Sequence, residues 1–170
     1  MISVSDHREL QAAVLAMKAA DRDIKREINR ATVATMGPEW KALVNEHLSG
    51  MSAMSTRMLG VGTRIKGGNP PVAMAANSKR AVGSSKRLVP ATDFAAWEFG
   101  ADRAAVSTYK RKSKNGGTHQ VKRHASRGLP ARAPKGRAVY PAFKEIAPRM
   151  VSLWVQIIVK KYYEASEGKS

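Results

Sequence analysis

Near the N-terminus, Leu10, Val14, Met17, Ile24 and Ile28 recur at steps of four, three, seven and four, with Ala13 and Ala20 on the same stripe. That is the period of one apolar helix face, and Asp6 followed by Glu9 has the spacing of a capping box. The pattern predicts an amphipathic helix from about residue 6 to 35, with Asp21, Arg22, Lys25, Arg26 and Arg30 on its solvated side. Gly37 and Pro38 are expected to stop it. Pro38 suits the first turn of a second helix, which carries Trp40, Leu43, Val44 and Leu48 and ends at Gly50.

From Met58 the pattern loosens into alternation, punctuated by Gly67, Gly68, Asn69, Pro70 and Pro71, and predicts two strands joined by a turn. Residues 77–90, with Ser-Lys-Arg at 78–80 and again at 85–87, read as loop or strand edge. The segment Thr92–Gly100 is either a helical turn capped by Thr92 or a short strand, with Phe94 and Phe99 around Trp97. Near the C-terminus, Phe143, Ile146, Met150, Leu153, Trp154, Ile157 and Ile158 follow Pro141 at helical steps. Pro148 is expected to kink or break that helix, and the last residues to fray. Helices at both ends of a strand-containing middle define an α+β class: N- and C-terminal amphipathic helices packed on a small antiparallel sheet, with a long basic loop.

Composition sharpens this picture. The chain has 170 residues, 43% of them hydrophobic, which suits a single domain spanning 1–170 with a real core. With no cysteine, disulfides, thiolate zinc sites and thiol nucleophiles are excluded. No apolar leader is visible at the N-terminus, and the longest apolar run, Met150–Val159, is about half of a bilayer span. A soluble protein with no membrane partner is expected.

The net charge of +17 is unevenly placed. Residues 64–140 carry seventeen Lys or Arg against three acidic residues, while the remainder is close to balanced. The densest part, Tyr109–Gly128, holds Lys110, Arg111, Lys112, Lys114, Lys122, Arg123 and Arg127 and no carboxylate. Those seven residues are candidates for contacting DNA phosphates or an acidic partner, in an arm or loop at 103–136. Tyr109 is the sole aromatic there, so the stacking platforms of single-strand binders are missing.

Other chemistry finds little footing. The glycines at 60, 62, 67 and 68 fail the dinucleotide pattern at Ile65 and the phosphate-loop pattern after Gly67, and suit a hairpin. His119 and His124 lie five apart with no nearby carboxylate, and His7 and His47 are isolated in sequence. Asp93, Glu98 and Asp102 are the only acidic groups in the basic middle. The reading is of no catalytic residues, no metal and no cofactor.

Two short blocks carry a resemblance. "DFAAWEFGADRA" at 93–104 and "RAVYPAFKEIAPRM" at 137–150 resemble the Glu-Phe-Gly block and the Pro-Ala-led final helix of the head–tail joining (neck or tail-completion) proteins of long-tailed bacteriophages, typified by gene product ten of the Hong Kong phage. Ala101 stands where that family commonly has Thr, and the segment between the blocks is longer and more basic than the family's usual one. The resemblance implies a non-enzymatic virion protein, made in the host cytoplasm, that forms a ring of usually six copies at the head–tail junction, as connector, tail-completion or tail-terminator layer. Its partners would be itself, other connector and tail proteins, and DNA passing through the ring. Trp97, Glu98, Phe99, Gly100, Tyr140, Pro141 and Phe143 would then either pack the motif within the subunit or contact a neighbour, with Glu98 expected to pair with an arginine. The alternative class, which the charge favours, is a small basic nucleic-acid-binding protein of ribosomal or chromosome-organising type.

Overall fold

The computed structural model describes residues 8, 11, 22–83, 87–124, 126 and 128–166. The proposed capping box, Leu10, Val14, Met17, His7, Arg127 and residues 167–170 lie outside them. Helix α1 (Arg22–Ala31) runs through one π turn (Thr32–Met36) directly into α2 (Gly37–Leu48). The expected stop at Gly37 is therefore corrected: Gly37 keeps helical angles, with φ −60° and ψ −54°. Pro38 has no N–H for the carbonyl four residues back, and its ring would crowd that carbonyl in a regular α-helix. A wider π turn just before it accommodates the ring and shifts the helix register without ending the helix.

A short helix not anticipated from the sequence follows, α3 (Ala53–Leu59). Ser52 caps it by accepting the Ser55 N–H at 3.2 Å, so Met58 and Leu59 are buried helix residues and not the start of a strand. Strands β1 (Arg64–Lys66) and β2 (Val72–Met74) form the expected antiparallel hairpin, with buried Ile65 opposite buried Ala73. Two side chains from the helices hold it. Trp40 Nε1 donates to the Met74 carbonyl at 2.9 Å, and Asn29 Oδ1 accepts the Gly68 N–H at 2.8 Å.

The choice left open at 92–100 resolves as helix α4 (Pro90–Glu98). It begins two residues before the expected cap: Val89 is the cap position, Pro90 starts the helix, and Asp93 reaches back to accept the Val89 N–H at 2.7 Å. The described residues of the preceding segment are loop apart from a single bridge between Val82 and Leu88. The basic stretch contains a second antiparallel hairpin, β3 (Ser107–Lys112) and β4 (Thr118–Arg123). Helix α5 (Val139–Ser166) closes the chain and is continuous through Pro148, correcting the expected break. Pro148 and Lys144, whose carbonyl loses its N–H donor, are both on the exposed side, where water can satisfy that oxygen.

The core lies where α1, α2 and α5 pack together over the β1–β2 sheet, filled by Ile28, Trp40, Val44, Met58, Ile146, Met150 and Trp154. The helix-and-small-sheet, α+β arrangement matches the sequence expectation. A buried polar relay crosses this core. Trp154 Nε1 donates to Thr32 Oγ1 at 2.6 Å, and that hydroxyl donates onward to the Ile28 carbonyl at 2.6 Å. The tie lets the Trp154 indole sit fully buried without a stranded N–H, as the Met74 carbonyl does for Trp40. On the outside, His47–Glu145 and Glu39–Arg149 bridge α2 to α5, and exposed pairs of this kind contribute only ~0–1 kcal/mol.

Thr32→Val keeps the side-chain shape but leaves the Trp154 N–H unpaired. Urea unfolding should show a loss of about 1–3 kcal/mol; a loss under ~0.5 kcal/mol would mean that the relay adds nothing to stability.

Candidate functional site

The two sequence blocks meet around one carboxylate. Glu98, in the last turn of α4, is fully buried, and its side chain sits at the N-terminus of α5. Oε1 accepts the backbone N–H groups of Arg137 and Tyr140 at 3.0 Å each, Oε2 accepts that of Val139 at 3.2 Å, and the Ala138 N–H lies 3.2 and 3.3 Å from the two oxygens. Pro141 follows with no N–H, and the Ala142 N–H makes the first intrahelical bond, to Ala138 O at 3.1 Å. Every backbone donor of the opening turn is therefore placed, by one remote side chain and one proline. The four N–H groups converge on two acceptor oxygens at the end of the helix that carries partial positive charge. The expected pairing of Glu98 with an arginine is corrected: among the described residues its partners are backbone amides, and Arg137 contributes its main chain.

Glycines on either side make this approach possible. Gly100 has φ +67°, and a Cβ there would strike the Ala131 carbonyl and come within 2.7 Å of the Pro130 oxygen. That contact is a backbone junction. Ala101 N–H donates to Pro130 O at 3.0 Å and Ala133 N–H to Phe99 O at 2.7 Å, so residues 99–101 pair with 130–133. Gly136, with φ +80°, turns the chain from there into α5, and a Cβ on it would sit 2.5 Å from Glu98 Oε1. The aromatic residues complete the joint. Phe99 packs on Tyr140 with ring centroids 5.0 Å apart, and Phe143 meets Trp40 edge-to-face at 6.3 Å.

Trp97, Glu98, Phe99, Gly100, Tyr140, Pro141 and Phe143 thus come together within the subunit. Sequence reasoning did not single out Gly136 or the amides of 137–140, although a glycine three residues before a helix start is a readable signal for a turn into it. Beside the joint lies a cleft of about 470 Å³ lined by Trp97, Arg103, Arg137, Ser52, Ser55 and Leu129, among others. Trp97 Nε1 and Arg137 Nε are buried there without a hydrogen-bond partner among the described residues.

The basic residues occupy a different place. Lys110, Arg111 and Lys112 lie on β3, Lys114 in the turn, and Lys122 and Arg123 on β4, all exposed. The turn closes with Ser113 N–H donating to Gly117 O at 2.6 Å and Gly116 at φ +81°. Asn115-Gly116-Gly117 was the turn signal for this hairpin, obscured in the sequence by the charge around it. His119 is exposed on β4 and His124 follows it, and no group of three metal-ligating side chains occurs among the described residues. At the far end of α5, Lys161 donates to Glu164 at 2.8 Å, and chiefly that bond holds the carboxyl below its ordinary pKa. No described helix is long and apolar enough to cross a membrane.

Compared with known proteins, the chain matches no family model, no curated protein and no solved structure.

Replacing Glu98 with Ala strands up to four buried or half-buried amides, and at ~1–3 kcal/mol for each stranded donor the loss should reach at least about 3 kcal/mol. Glu98→Gln should recover little of it, because its NH2 faces donors. Thermal denaturation of both variants checks this, and a Gln variant as stable as the parent would show that the second acceptor oxygen is not needed.

Proposed function

We propose that the chain is a non-enzymatic virion protein of a long-tailed bacteriophage, forming a ring at the head–tail junction as a connector, tail-completion or tail-terminator layer. The observation that carries the reading is the meeting of the two family-like blocks. Residues 93–104 and 137–150 are far apart in sequence, and their motif residues serve one purpose, the Glu98-capped start of α5. A shared structural role explains why the two blocks occur together in one chain.

Ring formation needs one surface of the subunit to meet a different surface of its neighbour. The distal half of α5 offers one such surface. Val155, Val159, Tyr162 and Tyr163 are each half or more exposed at steps of four, three and one, which gathers them on one side of the helix. An apolar stripe of this kind on an otherwise charged protein suits contact with a second copy. The arm at 107–123 would extend from each subunit toward the channel or an adjoining layer.

Light scattering after nuclease treatment and in high salt should give a single closed oligomer, of six copies in the usual form. Val159→Asp combined with Tyr162→Asp should reduce it to monomer without changing the melting temperature by more than a few degrees. Particles made without the protein should show intact heads and tails that fail to join; normal joined particles would refute the assignment.

A further inference from the structure

We propose that the β3–β4 hairpin is a duplex-DNA-binding ribbon that lies in the major groove and meets phosphates on both of its faces. The inference concerns the arm alone and does not depend on ring formation. Neither strand packs appreciably on another element, and every hairpin side chain is exposed except Val121, which is half-buried. The hairpin therefore contributes nothing to the core, and its side chains are free for a partner.

The pairing register divides those side chains. Ser107, Tyr109 and Arg111 share one face with Arg123, Val121 and His119, while Thr108, Lys110 and Lys112 share the other with Lys122, Gln120 and Thr118. Cations stand on both faces and, with Lys114, at the tip. No Asp or Glu occurs between Asp102 and Glu145, so no neighbour in that segment neutralises them.

This two-sided distribution selects the partner. A flat acidic protein surface would cover one face and leave the other unmatched. Set edge-on in the B-form major groove, ~12 Å wide, a two-stranded ribbon has a phosphate wall against each of its two faces. Strands ~4.8 Å apart with six residues at ~3.3 Å each give a ribbon ~20 Å long, which fits within one turn of that groove. The A-form groove of duplex RNA is too narrow and deep for it. Contacts of this type are independent of sequence and allow sliding along the duplex.

The base of the arm makes it separable. Residues 102–130 leave and return where Ala101 bridges Ala131, and Ser126 Oγ donates to Asp102 O beside it. Replacing 107–123 by a short Gly-Ser linker should therefore leave the melting temperature and the oligomer mass unchanged.

The test is anisotropy of full-length protein with a random-sequence DNA duplex across a salt series. Substituting K110Q, K112Q and K122Q together should reduce the slope of log K against log salt by ~2–3, R111Q with R123Q by ~2, and all five by ~4–5. Duplex RNA of equal length should bind at least ~10-fold more weakly, as should polyglutamate, because neither presents a B-form major groove. A slope affected by one face only would overturn groove binding. Polyglutamate binding as tightly as DNA would overturn it in favour of an acidic protein partner, and undiminished DNA binding by the linker variant would place the contact elsewhere on the chain.

Discussion

The bonds from the Glu98 carboxylate to the amides of residues 137–140 are the constraint on which the rest of the subunit depends. A helix N-terminus normally finds its acceptor within a residue or two, in a local Ser, Thr, Asp or Asn. Here the local sequence, "KGRAVYP", offers none, and the acceptor comes from a helix that ended some forty residues earlier. The start of α5 is thus fixed by tertiary structure. Since α5 supplies Phe143, Ile146, Met150 and Trp154 to the core, the placement of one carboxylate sets the register of much of the packing.

That dependence gives the neighbouring residues their identities. Gly100 and Gly136 are small and left-handed because backbone and carboxylate occupy the space a Cβ would take. Pro141 occupies a position in the first turn where the carboxylate's capacity is already used, and where a further N–H would be a surplus donor. Phe99 and Tyr140, which flank the joint in sequence, pack on each other with their rings tilted by 58° and tie the end of α4 to the start of α5. Trp97, next to Glu98, is buried and walls the adjoining cleft.

Much of this was legible in the sequence, for identifiable reasons. The apolar steps of 40–48 and 143–158 announce buried helix faces because the core sees the same period, and the Gly-Pro-rich turn at 67–71 announces the small sheet. Local rules failed where tertiary contacts or charge overrode them. At Gly37–Pro38 a π turn absorbed the break, and at Pro148 the carbonyl that loses its donor lies on the exposed side of the helix. In α3 seven residues were too few to show a period. Glu98 stood out as an acid among cations, and Coulomb reasoning pointed to an arginine. Four convergent amides compete well with a guanidinium here because the helix had no other acceptor for them.

The arm shows how the chain carries a large positive charge without straining its fold. Five of its cations stand on two paired strands, yet in the observed register no Lys or Arg lies directly opposite another: Lys110 faces Gln120, Arg111 faces His119, Lys112 faces Thr118, Lys122 faces Thr108 and Arg123 faces Ser107. Like charges directly across a ladder destabilise it, so this stagger preserves the hairpin while spreading charge over both sides. A two-residue slip in one direction, which keeps each side chain on its face, would set Lys110 against Lys122 and move Tyr109 from Val121 to Arg123. Tyr109 faces Val121, the half-buried side chain of the ribbon, and that pair pins the register that keeps the cations apart. Exposure in water, away from the low-dielectric core, screens what repulsion remains. The same arrangement that makes the arm tolerable to the free subunit presents cations in every direction normal to the ribbon, which is the geometry a groove lined by phosphates can use and a single flat surface cannot.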